Sequence, residues 1–502
     1  MYITIFNCLR KIEIWFLLSS IFVLILSGCS SSSNSNPPEM EPSTPKPTTG
    51  IWSAPAYGVV VNISDTDYTF YQFTSQFCQT YSLEEYLGLD FDSLIDSTEV
   101  NTDNGTLITT LGGVKSPGIS MEKQTALPQQ CIDNYVASIG ETNYEFNPQV
   151  EFEIFWSSFN ELYAFFDLEE VDWAEVYEGA SIAIANDTNK EALFSIFAQM
   201  ITPLKDFHVD LVDHELGFEY TSPAKKPNLD IIALTDFLEI HGLEALASEE
   251  QYLQYLEYLE LQKDSALEVN LSHVAEGESV QFNDTLTIFW ARLNDNVGYL
   301  LLNTMSASEI GGGNNVDDNL ASLSTTLDQV LTDLVDVKGL IIDVRYNEGG
   351  DDFVSQYIVG RLTNQSFGAY SKQARLGAVR TPLQSIVIEP QGDNQFTGPV
   401  AVLTSNTTAS AAEVFSLSMR ERINTILVGE ATAGGFSDQL IKTLPSGTVF
   451  SLSNEFYLSV TGEEFEGLGV PADITHAFFT RAQREAGQDP GFDEALEWLL
   501  NF

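Results

Sequence analysis

The chain has 502 residues, 44% of them hydrophobic and 11% aromatic, which is apolar material for two or three packed domains. Lys and Arg number 22 against 72 Asp and Glu, a formal net charge of −50, and such a field repels a phosphate backbone and excludes nucleic-acid binding. A very soluble or salt-adapted surface accounts for the charge, with attraction of cationic peptides as the functional alternative.

Residues 1–28 read as a processing signal. Arg10 and Lys11 precede an apolar run from Ile14 to Leu26, shorter than the about 20 residues a membrane helix needs. The next residues, Leu26-Ser27-Gly28-Cys29, are similar to the bacterial lipoprotein signal, which makes Cys29 the expected lipidation site and the N-terminus a membrane anchor. Ser30 after that cysteine, by resemblance to Gram-negative lipoproteins, points to the outer membrane. An uncleaved anchor helix is the alternative, and in both cases the bulk of the chain leaves the cytoplasm. Cys8 lies in the signal, so Cys78 and Cys131 remain as a pair for a disulfide in an oxidising compartment, with two buried thiols as the other reading.

Residues 29–50 are mostly Ser, Pro, Thr, Asn and Glu, a composition that cannot bury enough surface to fold, and read as a tether. Over 51–142 short alternating runs such as Tyr57-Gly-Val-Val-Val-Asn-Ile predict a small β-rich domain. Apolar residues at three- and four-residue spacing (Phe155, Phe159, Leu162, Phe166) predict about three helices within 145–215. A Leu-, Tyr- and Glu-rich block makes 216–285 a mostly helical insert. From 286 to 502 strand and helix patterns alternate, which predicts a largely parallel sheet with helices on its faces, an α/β fold.

Ser410 stands where the run Pro399-Val-Ala-Val-Leu-Thr404 gives way to a helix. That position puts its hydroxyl at the carboxyl edge of the sheet, where ligands bind in open α/β folds. Free amides of the helix's first turn, Ala411 included, can face an oxyanion there. Ser410-Ala-Ala-Glu413 is equally a capping box, which needs no catalysis. Upstream, Asp343-Val-Arg-Tyr-Asn-Glu-Gly-Gly-Asp351 runs a buried strand into Gly349 and Gly350, a pair that lets backbone approach a ligand and supplies a second oxyanion donor, or else only turns the chain.

Four segments in order, Gly339-Leu-Ile-Ile-Asp-Val-Arg-Tyr-Asn-Glu-Gly-Gly350, Thr408-Ala-Ser-Ala-Ala-Glu413, Val428-Gly-Glu-Ala-Thr-Ala-Gly-Gly435 and Glu466-Gly-Leu-Gly-Val-Pro-Ala-Asp473, resemble those of the C-terminal processing, or tail-specific, serine peptidases. The resemblance spans roughly residues 290 to 475, and Leu204-Lys-Asp-Phe-His-Val-Asp-Leu211 is similar to the end of the family's N-terminal helical region. It implies a crotonase-like ββα catalytic core, a peptide or protein substrate, and no cofactor or metal.

One branch of that family pairs the serine with a lysine shortly after the Gly-Glu motif, but Gly429-Glu-Ala-Thr-Ala-Gly-Gly-Phe436 has glycine there, and Lys442 lies six residues on in a strand-like run. The branch with the tricorn core and the interphotoreceptor retinoid-binding protein is more similar. There a histidine of an Asp-x-His segment is the base and a late glutamate polarises the site. By that resemblance the roles fall on His208 and on Glu466, with Glu463 and Glu464 as its rivals. An imidazole suits the task, because a serine hydroxyl is a weak nucleophile until a neighbouring base takes its proton. The retinoid-binding relative keeps a second function open, a non-catalytic ligand-binding lipoprotein on the same fold. Many members also carry a PDZ domain. Glu215-Leu-Gly-Phe218 is similar to its carboxylate loop, but the sequence beyond Pro223 turns helical. Asn101-Thr-Asp-Asn-Gly105 lacks the glycine placement and final glutamate of a calcium loop.

Overall fold

The computed structural model describes residues 48–82, 95, 98–101, 106–109 and 118–502. The signal, Cys29, most of the tether and residues 102–105 lie outside the described residues. Residues 47–502 form one compact unit.

The central sheet of this α/β fold orders its strands Gln281–Phe282, Ile288–Arg292, Gly298–Leu302, Leu340–Asp343, Val400–Thr404, Thr425–Gly429 and Ile474–Thr475. From Gly298 onward all neighbours are parallel. Parallel strands covered on both faces have no polar side to expose, and accordingly Val400–Thr404 is buried at every position. Its helices include Val316–Asp333, Asp352–Gly360 and Ala411–Glu421, the last starting where the sequence places a helix at Ser410. Leu323, Leu327, Val354, Val414 and Phe415 pack with the strands into one core.

A second sheet, antiparallel and four-stranded, runs Gln439–Thr443, Val449–Ser453, Asp210–Asp213, Phe218–Thr221. The helices Pro148–Leu162, Trp173–Ser181 and Lys190–Ile201 pack their aromatic residues into one core with it. Phe155 stacks on Phe197 at 4.1 Å between ring centroids and meets Phe450 at 5.0 Å. His208 sits where this helical region enters the sheet.

The insert holds the two helices Leu229–His241 and Glu249–Leu271, whose Phe237, Tyr255 and Leu259 pack on Phe478 and Phe479 of the core. The segment similar to a PDZ carboxylate loop is instead the tight turn between Asp210–Asp213 and Phe218–Thr221. The N-terminal strands form a seven-stranded antiparallel sheet, and Cys78 is bonded to Cys131 across 53 residues of sequence. This sheet is fastened to the core: Lys442 Nζ donates to the Gly58 carbonyl at 3.1 Å, and Asn454 Nδ2 to that of Ala56 at 3.1 Å.

Candidate active site

Strand Val400–Thr404 ends, a short turn follows, and Ser410 opens helix Ala411–Glu421 with φ 51° and ψ −125°. A positive φ on a side chain other than glycine is strained, and a sharp strand-to-helix turn of this kind holds a hydroxyl out from the backbone. The capping box expected of Ser-Ala-Ala-Glu is present. Glu413 accepts from the Ser410 N–H at 3.2 Å, and the Glu413 N–H, which bonds the Ser410 carbonyl oxygen at 2.8 Å, also faces the Ser410 side chain, which lines the cavity in front of it.

That cavity, of about 470 Å³, is lined by Ser410, His208, Glu466, Gly350 and Gln439 among others. It brings together residues separated by more than 250 positions in sequence. The geometry converges on Gly434-Gly435. The Gly435 carbonyl accepts from the Ser410 N–H at 3.1 Å, and a Cβ on Gly435 would lie 2.3 Å from the Phe207 ring, next to His208. Gly434 accepts from the Gly467 N–H at 2.7 Å, beside Glu466. Any side chain at Gly435 would push the histidine segment away, which gives a steric reason for glycine rather than lysine in this stretch.

Beneath this junction the buried Glu413 carboxylate accepts from Thr432 Oγ1 (2.5 Å), Gly434 N–H (2.7 Å) and Gly435 N–H (2.7 Å). Burial pushes its carboxyl up to about 7. Sequence reading saw Glu413 only as a helix cap. Its partners are 19 to 22 residues away in sequence, and nothing local announces them. Lys226 was also missed. It lines the cavity and donates from Nζ to the carbonyls of Thr432 (2.7 Å) and Leu468 (2.6 Å), with its ammonium pushed down by burial.

His208 is buried. Its N–H donates to Asp206 Oδ1 at 2.9 Å and its carbonyl accepts from Ser451 Oγ at 2.7 Å, so the backbone is held on both sides. Nδ1 has no partner among the described residues. Burial lowers its pKa below the ordinary histidine value, against the opposing pull of Asp206, Asp438 and Asp210. The imidazole is therefore neutral near pH 7.

Of the three late glutamates, only Glu466 faces the cavity. It accepts from the Phe436 N–H at 2.9 Å, and burial, with Asp206 adding to it, pushes its carboxyl well above the usual range. Glu464 is ion-paired with Arg380, and Glu463 accepts from Thr461 at 2.9 Å.

Gly349 and Gly350 have φ of +116° and +135°. A Cβ on Gly349 would lie 2.6 Å from the Ser410 Cβ, and one on Gly350 only 2.2 Å from the Ser306 nitrogen, so close approach demands glycine at both. Their amides differ. The Gly349 N–H is taken by Asn347 Oδ1 at 2.9 Å. The Gly350 and Ala411 N–H groups have no acceptor among the described residues. Lys442 does not line this cavity. Its buried Nζ, pushed down to about 7, serves the N-terminal sheet.

Comparisons with known proteins bear on the family and the fold. Residues 296–476 match the model of peptidase family S41. The carboxy-terminal processing protease CtpA of Bacillus subtilis is 26% identical over 173 residues, 33% of this chain and 36% of the relative. The tricorn protease of Thermoplasma acidophilum is 30% identical over 165 residues, 32% of this chain and 14% of the relative. The matches thus span about a third or less of these relatives' lengths. A solved structure of a candidate peptidase from Parabacteroides merdae superposes with a TM-score of 0.53 at 22% identity, covering 71% of this chain and 98% of that one, which shows the fold. With the strand order, the Gly-Gly turn and the serine-headed helix in place, the chain carries a peptidase family S41 domain over residues 296–476.

Proposed function

We propose that this protein is an extracytoplasmic serine peptidase in which Ser410 is the nucleophile, His208 the general base and Glu466 a polarising group. The observation that carries the reading is one cavity lined by both the serine that heads the helix and a neutral, buried imidazole whose Nδ1 has no partner among the described residues. As Ser410 Oγ attacks a peptide carbonyl, its proton passes to His208, and the negative charge forming on the carbonyl oxygen is met by the N–H groups of Ala411 and Gly350. Gly349 acts by permitting the close approach and not by donating, since its N–H is spent on Asn347. The proton on His208 then goes to the departing amine, and water releases the acyl group from Ser410 by the same route in reverse. Burial pushes the Glu466 carboxyl well above the usual range, and in its protonated form it serves the imidazole or substrate as a hydrogen-bond donor.

Cleavage rather than binding alone is tested by a fluorophosphonate probe. Covalent labelling at Ser410, lost in Ser410→Ala and in His208→Ala, is the expected result. A properly folded wild-type protein in which no serine reacts is instead a binding protein on a peptidase fold. The Leu-Ser-Gly-Cys29 signal and the Cys78–Cys131 bond support export and a lipid anchor, with the outer membrane as its site. Metabolic labelling with a palmitate analogue, abolished by Cys29→Ala, checks the anchor.

A further inference from the structure

Strand Gln439–Thr443 ends the four-stranded sheet and pairs only with Val449–Ser453 among the described residues. In an antiparallel pair, residues alternately turn their backbone N–H and C=O toward the partner and away from it. Thr443 reveals the phase. Its N–H donates to Gln72 Oε1 at 3.1 Å, and its carbonyl accepts from Gln72 Nε2 at 2.5 Å. Both groups therefore point away from Val449–Ser453, and by the two-residue period those of Gln439 and Ile441 do the same. Both residues are exposed, and Gln439 lines the catalytic cavity. A row of two open donor–acceptor pairs thus begins beside Ser410 and His208 and stops at a third pair that is already occupied.

The occupant is informative. A primary amide sets a C=O beside an N–H as a peptide unit does, so Gln72 stands where the next strand's backbone would stand. Gln79 adds a second bond to the same carbonyl, Nε2 to Thr443 O at 2.8 Å. Both glutamines are buried and belong to the N-terminal sheet. Its attachment through Lys442 and Asn454 fixes that sheet at the end of the row.

Resting on the peptidase reading, we infer that a substrate peptide lies as an extended strand along Gln439 and Ile441, and that Gln72 with Gln79 ends this row after two rungs. The N-terminal sheet is then a length gauge for one side of the scissile bond. Main-chain pairing along an edge strand is indifferent to side chains, so the substrate class is an unstructured peptide chosen by extended conformation and reach. The continuity of the row with the cavity selects substrate as the occupant over another segment of this chain.

The test is an N-methyl scan of one peptide cleaved by the full-length protein, with fluorophosphonate labelling of the same preparation. N-methylation at two alternate positions on one side of the scissile bond lowers kcat/KM about tenfold each, the size of one lost hydrogen bond. The next alternate position changes by less than about twofold on the same scale. In Gln72→Ala with Gln79→Ala the third rung opens, and that outer position becomes sensitive as well. Uniform insensitivity, or a third sensitive position in the wild-type protein, overturns the inference. The wild-type scan decides it even if the double variant does not fold. Labelling without the alternation condemns the row alone, whereas absent labelling condemns the peptidase reading beneath it.

Discussion

Asp343 and Ser410 both lie at the carboxyl edge of the parallel sheet, after or at the end of adjacent strands, yet their surroundings differ. Around Asp343 the charged groups are matched. Arg345 donates to it from Nε (2.9 Å) and Nη2 (2.7 Å), and to Asp489 from Nη1 (2.7 Å). Tyr299 adds a bond to Asp343 at 2.9 Å, Asn270 bridges Arg345 and Asp489, and Phe478 covers the guanidinium at 3.9 Å. Around Ser410 the backbone is strained, and among the described residues two N–H groups lack acceptors and an imidazole nitrogen lacks a partner. Both regions carry motif residues, so a motif alone does not separate scaffold from chemistry. Unmet hydrogen-bonding capacity facing a cavity does.

That contrast breaks first at Ser410. Ser410→Ala is expected to lower kcat about ten-thousand-fold or more with the melting temperature unchanged, and steady-state hydrolysis with thermal melts reads both. His208→Ala should cost a similar amount and, because the two act as a unit, add little in the double variant. The matched cluster responds the other way. Arg345→Met strands two buried carboxylates and should cost about 3–5 kcal/mol of stability in urea unfolding. If it instead removed activity with stability intact, the division between the two regions would fail.

Smaller effects sharpen the picture. Cys131→Ser opens the 53-residue bridge and should cost about 2–4 kcal/mol, with labelling of Ser410 retained at temperatures where the variant stays folded. Glu413→Gln sets an NH2 group against N–H donors and should slow kcat about ten- to a hundredfold while KM barely moves, the mark of a positioning residue. The smallest effect is the pH profile. The base must be neutral to accept a proton, so kcat/KM rises with pH through the pKa of His208. Since burial lowers that value from 6.5, half-maximal activity should fall below pH 6.5, and a midpoint above it would contradict the buried environment.

Much was legible in the residues themselves. The buried strand run to Thr404 and the serine after it, the double glycine at 349–350, the helical spacing of the phenylalanines and the pairing of two remaining cysteines are each visible within a short window. Such features follow from local periodicity and backbone sterics, which a sequence carries directly. Ser410, His208, Gly350 and Ala411 are all legible in this way or by resemblance, and the structure brings the first three to one cavity with Ala411 next to Ser410 in the chain. Tertiary structure alone turned Glu466 rather than its neighbours to the cavity, made Glu413 the clamp under the site and set Gln72 against the end of an edge strand. In each case the deciding partner is distant in sequence, from 19 residues for Glu413 to 371 for Gln72, and a hydrogen bond across such a span leaves no periodic trace. What composition and spacing determine is which segments must be buried and which can react. What they meet once buried is decided by the packing of the whole chain.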